Sequence, residues 1–221
     1  LGALMHAANP TVGLAAHTGQ VDIRIAARAE TASEAERLLD EVEAQVRAAV
    51  GRYIYSTTPG ESYEAVLAPQ LAAAGLTLAI LETNTQGLLA QRLDAALPGG
   101  RLVLLALAAG ATSLPNELER LSDYHALPVE QMAALAEDAA VHVRAEGKAV
   151  LGVALVGTAG ADEGIYGRQS GATWLAIAGP AGPYSERIPF GGQDEYTLVR
   201  ITNQVLRRLA KQLETQEVGG E

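Results

Sequence analysis

Apolar and polar residues alternate strictly in the first part of the chain. Residues 20–27 place an apolar side chain at every second position, with charged side chains between them. This period of two is typical of a strand with one face buried. We therefore predict a half-buried strand whose inward residues are Val21, Ile23 and Ile25.

The period then changes to that of a helix. From residue 29 to residue 50 the apolar side chains recur on one helical face, and Thr31 with Glu34 forms a Thr-x-x-Glu capping box. We expect the helix to end at Gly51 in the left-handed conformation that glycine readily adopts. A short strand at residues 53–55 would then complete a small βαβ unit.

A linker follows this unit. Residues 56–60 read Ser-Thr-Thr-Pro-Gly, and proline and glycine together interrupt regular structure. We therefore predict two domains, a small α+β domain at residues 1–57 and a larger one at residues 61–214.

The larger domain contains three strands that are apolar without alternation, at residues 76–81, 102–107 and 150–156. Such strands are buried on both faces, so helices must cover both sides of a largely parallel sheet. The helical patterns that separate or precede them lie at residues 62–74, 85–97 and 129–146. The pattern predicts an α/β fold with the three apolar strands parallel and inside the sheet.

The end of the chain has a different pattern. Two strand-like segments, residues 173–178 and 184–190, flank a Gly-Pro-Ala-Gly-Pro sequence, which predicts an antiparallel hairpin at the edge of the sheet. A last helix is expected at residues 194–213. Its buried face would carry Leu198, Ile201, Val205, Leu206 and Leu209.

Composition excludes several classes of function. The formal net charge of −10 opposes binding along a nucleic-acid backbone, and no apolar run approaches the length of a membrane span. The chain has no cysteine, and its four histidines lack paired metal-ligand spacing. We expect a soluble cytoplasmic protein with no metal and no cofactor, and, since the chain does not begin with methionine, a fragment of a longer one.

The best candidate for a binding site is the polar turn between the strand at residues 76–81 and the helix expected to begin at Thr85. Hydroxyl and amide groups beside a helix start can hold a phosphate or a ribose, and a glycine-rich loop after another strand allows close backbone approach. The alternative is that these groups only cap the helix and form a tight turn. The candidate ligand-binding residues are Glu82, Asn84, Thr85, Gln86, Gly87, Gly157, Thr158, Ala159, Gly160 and Arg168.

Several motifs together resemble the CinA family. Residues 82–87 read Glu-Thr-Asn-Thr-Gln-Gly and resemble the Glu-Ser-Cys-Thr-Gly-Gly signature of its C-terminal nicotinamide-nucleotide amidase domain. Residues 157–160 resemble its Gly-Ile-Ala-Gly-Pro loop, and residues 190–195 its Phe-x-Gly-Asp-Arg-Glu segment. The first domain is similar to the KH-like middle domain of full-length CinA proteins.

This resemblance implies a three-layer α/β/α domain with a mixed five-stranded sheet, preceded by a small α+β KH-like domain. It also implies a homodimer and a molybdopterin-binding-like domain that precedes these two in the full-length protein. The implied ligand is a small nucleotide such as nicotinamide mononucleotide (NMN), and neither nucleic acid nor membrane is expected as a partner.

The resemblance fails at the catalytic residues. In active members a serine attacks the carboxamide of NMN, assisted by a tyrosine and a lysine after the second strand. Here Thr83 takes the place of the serine, and residues 108–114 contain neither tyrosine nor lysine. The chain's lysines, Lys148 and Lys211, lie elsewhere. We therefore expect weak or absent deamidase activity, with nucleotide binding or a role in assembly retained.

Alternative functions remain open from the sequence. Thr83 could act as the nucleophile of an active deamidase, although its methyl group restricts the side chain. Glu82 could supply the base if its pKa is raised, but a carboxylate at a strand end can instead anchor a neighbouring loop. Tyr124 or His125 could also supply the base, if the loop at residues 121–128 brings either side chain to the site. The chain could also be a purely structural dimerisation unit.

Overall fold

The computed structural model describes residues 1–99, 101–108, 129–157, 171–189, 191–192 and 194–218. Contacts divide the chain into two compact units, Leu1–Glu61 and Ser62–Glu221.

The first unit is a β-hairpin followed by a long helix. Strands β1 and β2 pair antiparallel, and a small core of Val12, Val42 and Val46 forms between them and the helix. Its elements are helix α1 (Gly2–Met5), β1 (Thr11–His17), β2 (Gln20–Ala26), α2 (Ala32–Val50) and a 3-10 turn (Gly51–Tyr53).

The predicted start of α2 is confirmed, but its end is not. The Thr31 hydroxyl accepts a hydrogen bond from the Glu34 N–H at 3.2 Å, as the capping box requires. Gly51 is right-handed, with φ −51° and ψ −37°, so the chain continues into the 3-10 turn. The predicted strand at residues 53–55 is therefore wrong, because the Ile54 N–H bonds to the Gly51 carbonyl instead of a strand. The unit is a hairpin and helix rather than βαβ.

The second unit has the predicted mixed five-stranded sheet, in the order β4-β3-β5-β6-β7. Strand β3 pairs parallel with β4 and β5, and β5-β6 and β6-β7 pair antiparallel. Helices α3, α4 and α6 pack on one face and α5 on the other, which makes three layers. The elements are α3 (Tyr63–Ala73), β3 (Leu78–Glu82), α4 (Leu88–Ala96), β4 (Val103–Ala108), α5 (Val129–Gly147), β5 (Leu151–Gly157), β6 (Thr173–Gly179), β7 (Gly182–Ile188) and α6 (Glu195–Val218).

Strand β4 corrects the prediction of three inner strands. It lies at the edge of the sheet, and in the part of the chain that the structure describes it pairs only with β3. Its register with β3 shifts between Leu78 and Ala79, and Leu104 at this shift is 41% exposed. An apolar run does not distinguish an inner strand from an edge strand, because both contain the same residue types.

Helix α6 has the predicted buried face, with Ile201, Val205, Leu206 and Leu209 fully buried. The Asp194 carboxylate caps its first turn by accepting a hydrogen bond from the Thr197 N–H at 2.9 Å. Among the described residues, no helix is both long enough and apolar enough to cross a bilayer.

Small residues lie where helix α5 packs against the sheet. The sheet presents Ala79, Ala154 and Ala176 to it, and all three are fully buried. Gly152 of β5 has no side chain, and a Cβ atom there would lie 2.0 Å from the Ala140 carbonyl oxygen. The separation of helix and sheet is therefore set by backbone contact.

We predict that Gly152→Ala lowers the free energy of unfolding by about 3 kcal/mol or more, because the added methyl group displaces helix backbone. Gly179→Ala on β6 is the matched control. Its Cβ would meet only the flexible end of the Leu151 side chain, at 3.2 Å, so a loss of about 1 kcal/mol or less is expected. Denaturant titration of both variants measures this, and equal losses would contradict close packing at Gly152.

Candidate functional site

The candidate site lies where β3 and β5 end and β6 begins. The three strands are adjacent, with β5 between β3 and β6. Within the strand order, the chain passes from β3 to its neighbour β4 in one direction and from β5 to its neighbour β6 in the opposite direction. Ligands of α/β proteins bind at such points, because the diverging connections leave a crevice at the strand ends.

Glu82 is the last residue of β3, and its buried carboxylate caps helix α4. The side chain is 1% exposed. Its Oε1 accepts a hydrogen bond from the Ala90 N–H at 3.0 Å, and its Oε2 accepts one from the Leu89 N–H at 3.1 Å and one from the Thr85 hydroxyl at 2.5 Å. Burial raises the pKa of Glu82, and these three hydrogen bonds offset only part of the rise. The carboxylate anchors the helix, which is the structural role that the sequence left open.

Helix α4 begins at Leu88, three residues later than predicted. Gln86 and Gly87 both have left-handed backbone, with φ of 55° and 80°, and this double turn delays the helix. The Leu88 N–H bonds to the Thr85 carbonyl at 2.9 Å, and the next two N–H groups bond to Glu82. The first three N–H groups of the helix are therefore already paired, so a phosphate would need other donors at this end.

Thr83 bridges the ends of β3 and β5. Its hydroxyl donates to the Leu155 carbonyl at 3.1 Å and accepts from the Gly157 N–H at 3.0 Å. Its own N–H also donates to the Leu155 carbonyl, at 2.9 Å. The hydroxyl thus continues the β3–β5 pairing by one position beyond the last strand residue.

Asn84 extends across the end of β5 to β6. Its Nδ2 donates to the Thr173 hydroxyl at 2.9 Å, and the side chain is 2% exposed. The amide occupies the space beside Gly157, where a Cβ atom would lie 2.2 Å from the amide carbon and nitrogen. Its Oδ1 is buried and has no hydrogen-bond partner.

The structure thus brings together part of the predicted site. Glu82, Thr83, Asn84, Thr85 and Gly157 lie together at the ends of β3 and β5, where their side chains form three separate sets of hydrogen bonds. Gln86 and Gly87 serve the turn that precedes α4. The remaining candidates lie outside the described residues: Tyr124, His125, Thr158, Ala159, Gly160, Arg168 and residues 109–114.

An ion pair that the sequence did not predict connects α4 to two neighbouring helices. Arg92 bonds to both carboxylate oxygens of Glu64, at 3.1 and 2.7 Å, and donates to the Thr202 hydroxyl at 2.6 Å. Burial raises the pKa of Glu64, but the hydrogen bonds from Arg92, from the backbone and from Ser62, together with the charge of Arg92, bring the pKa below its ordinary value. The pair joins α3, α4 and α6. The sequence offered one signal for this pair, an arginine within a short amphipathic helix.

Comparison with known proteins assigns both units. Residues 1–56 match the family described as damage-inducible protein CinA KH domain, and residues 119–213 match the CinA C-terminal domain. A CinA-like protein of Parasynechococcus marenigrum is 32% identical over 95% of this chain and 51% of its own length. One from Gloeobacter violaceus is 34% identical over 84% of this chain and 43% of its own length. The chain spans about half the length of these curated relatives.

Solved structures share the fold. A CinA superfamily protein from Klebsiella pneumoniae has a TM-score of 0.56 and 20% identity, over 69% of this chain and 96% of that one. Another from Enterobacter cloacae has a TM-score of 0.53 and 21% identity, over 72% of this chain and 99% of that one.

The role of Glu82 predicts a pH dependence of stability. Because the folded-state pKa of Glu82 lies above its unfolded value, folding favours the protonated form, and this contribution is lost as the pH rises through the folded pKa. Glu82→Gln should cost about 1–3 kcal/mol, since an amide cannot accept all three hydrogen bonds. The advantage of the wild type over this variant should be largest near pH 4 and fall toward neutral pH. Unfolding free energies at several pH values measure this, and an advantage that grows with pH would contradict it.

Proposed function

The chain belongs to the CinA family, and we propose that its second unit binds an NMN-like nucleotide but deamidates it slowly or not at all. The hydrogen bonding of Thr83 carries this proposal. A hydroxyl acts as a nucleophile when an adjacent base takes its proton. The Thr83 proton is instead directed to the Leu155 carbonyl, and the oxygen accepts from the Gly157 N–H.

The positions of the two lysines support the same proposal. Lys148 precedes β5, so it lies at the amino end of that strand, whereas Thr83 follows the carboxyl end of the parallel strand β3. Lys211 lies in α6. Among the described residues, the Thr83 hydroxyl bonds only to backbone groups. In the described part of the site, no side chain that could act as a base is hydrogen-bonded to this hydroxyl, and the Glu82 carboxylate bonds instead to Thr85 and to the backbone of α4.

Nucleotide binding is supported by the location of the cluster and by its chemistry. The crevice between diverging strand connections is a common ligand site in α/β proteins. The cluster also contains buried polar side chains, among them Asn84, whose amide fills the space that glycine leaves at position 157. The homodimer and the further N-terminal domain that the family resemblance implies belong to the same proposal, as does any activity of the full-length protein.

We predict that deamidation of NMN by this protein is absent, or at least about a hundredfold slower than in family members with serine and lysine. This factor is the low end of what general acid–base assistance contributes. Thr83→Ser should restore little activity, because a serine hydroxyl would still lack a base. Release of ammonia from NMN measures both rates.

The control is Thr83→Ala, which removes the hydroxyl. A high rate in the wild-type protein that this substitution abolishes would contradict the proposal and favour the alternative, an active deamidase with Thr83 as its nucleophile. Calorimetric titration with NMN separately tests binding, and no measurable binding would favour a purely structural role.

A further inference from the structure

The two edges of the five-stranded sheet differ in their chemistry. At one edge, β7 contains Pro183, which has no N–H group to donate, and the charged residues Glu186 and Arg187. Proline and charged side chains on an edge strand oppose pairing with a further strand. Arg208 of α6 bonds to the Glu186 carboxylate at 2.6 Å and so holds that charge at the edge. At the other edge, β4 reads Val-Leu-Leu-Ala-Leu-Ala and has neither proline nor charge.

Strand β4 leaves apolar side chains in contact with solvent on both faces of the sheet. Leu104 is 41% exposed and Ala106 is also exposed. Leu105 and Leu107 pack on the core below α5 but are only half-buried, because α5 lies mainly over β5 and β6. An apolar edge strand of this kind is a template for a further strand, which pairs with its outward backbone groups and covers its side chains.

We propose that β4 is the dimer interface of this protein, and that it pairs antiparallel with β4 of a second copy to form a continuous ten-stranded sheet. The inference rests on the homodimer that is part of the proposed function, and it names the surface at which the two copies meet.

Charge and symmetry favour a second copy as the occupant of this edge. Two copies that each carry a net charge of −10 repel one another, so they approach most readily where both surfaces are uncharged. A two-fold axis brings the same surface of each copy together, so the surface must be complementary to itself. An uncharged apolar strand meets both conditions, because each of its side chains faces another apolar side chain across the axis.

The directions of the side chains limit the register of this pairing. A two-fold axis normal to the sheet keeps the α5 layers of both copies on the same side, and residues opposite each other in antiparallel strands point to the same face. Leu105 and Leu107 both pack on the α5 side. Residues 104–108, from the register shift to the end of β4, centre on Ala106. Leu105 therefore lies opposite Leu107 of the partner subunit, and Ala106 lies on the axis, opposite its own counterpart.

A single introduced cysteine tests this contact directly, because the chain has no cysteine of its own. The Cα atoms of opposite residues in antiparallel strands lie about 4.5–5.5 Å apart, within the range of a disulfide. We expect Ala106→Cys to form a covalent dimer under copper-catalysed air oxidation. The matched control is Val141→Cys on α5, where the side chain is 47% exposed. It should react with a thiol reagent but remain a single chain after oxidation.

Light scattering tests the same interface without a crosslink. The wild type at micromolar concentration should have twice the chain mass of 23.0 kDa. Leu104→Lys should raise the dimer dissociation constant at least about a hundredfold, because it places two ammonium groups in a contact that excludes water. Val141→Lys, the control, should change this constant by less than about twofold. Circular dichroism shows whether each variant folds, and if Leu104→Lys does not, Ala106→Lys is expected to dissociate the dimer in the same way.

The outcomes separate this inference from the rest of the proposed function. Wild-type protein that is only monomeric at micromolar concentration overturns the role of β4 together with the homodimer, and nucleotide binding is then still judged by calorimetric titration alone. A dimer that persists in the lysine variant of β4, or that Ala106→Cys does not crosslink, overturns this pairing and leaves the homodimer standing, because the copies then meet at another surface.

Discussion

The turn after β3 joins three elements through three consecutive side chains. Glu82 bonds to the start of α4, Thr83 to the end of β5, and Asn84 to the start of β6. These bonds satisfy backbone and side-chain groups where the strand ladder stops and the helix has not yet begun, which is where unpaired groups are most costly. The arrangement of the strand ends and the geometry of the candidate site both depend on this turn.

The same bonds limit the chemistry of the site. A carboxylate that accepts three hydrogen bonds at a helix start has little freedom to move protons for a substrate. A hydroxyl that is bonded on both sides has the same limitation, and among the described residues both of its partners are backbone groups. Asn84 differs from its two neighbours, because one end of its amide is not used by the fold. The hydrogen bonds of Glu82 and Thr83 therefore connect elements of the fold, whereas the Asn84 amide uses only its nitrogen for such a connection.

The sequence predicted the elements well but the connections between them poorly. Continuous apolar runs located the parallel strands β3, β4 and β5, the glycine and proline turn located the β6-β7 hairpin, and helical periodicity located the buried face of α6. It placed the start of α4 three residues early, since left-handed backbone at Gln86 leaves no compositional signal. The Asn84–Thr173 bond joins residues 89 positions apart, and the Arg92–Glu64 pair joins residues 28 apart. Local patterns carry no information about such contacts.

The Thr83 hydroxyl stabilises the fold by joining the ends of β3 and β5. The free energies of unfolding of two variants test this role most directly. Thr83→Ser keeps both hydrogen bonds and should lie within about 1 kcal/mol of the wild type. Thr83→Val keeps the shape but leaves the Gly157 N–H unpaired, and it should lose about 1–3 kcal/mol. A valine variant as stable as the wild type would show that the hydroxyl does not tie β3 to β5, and would return Thr83 to consideration as a free nucleophile.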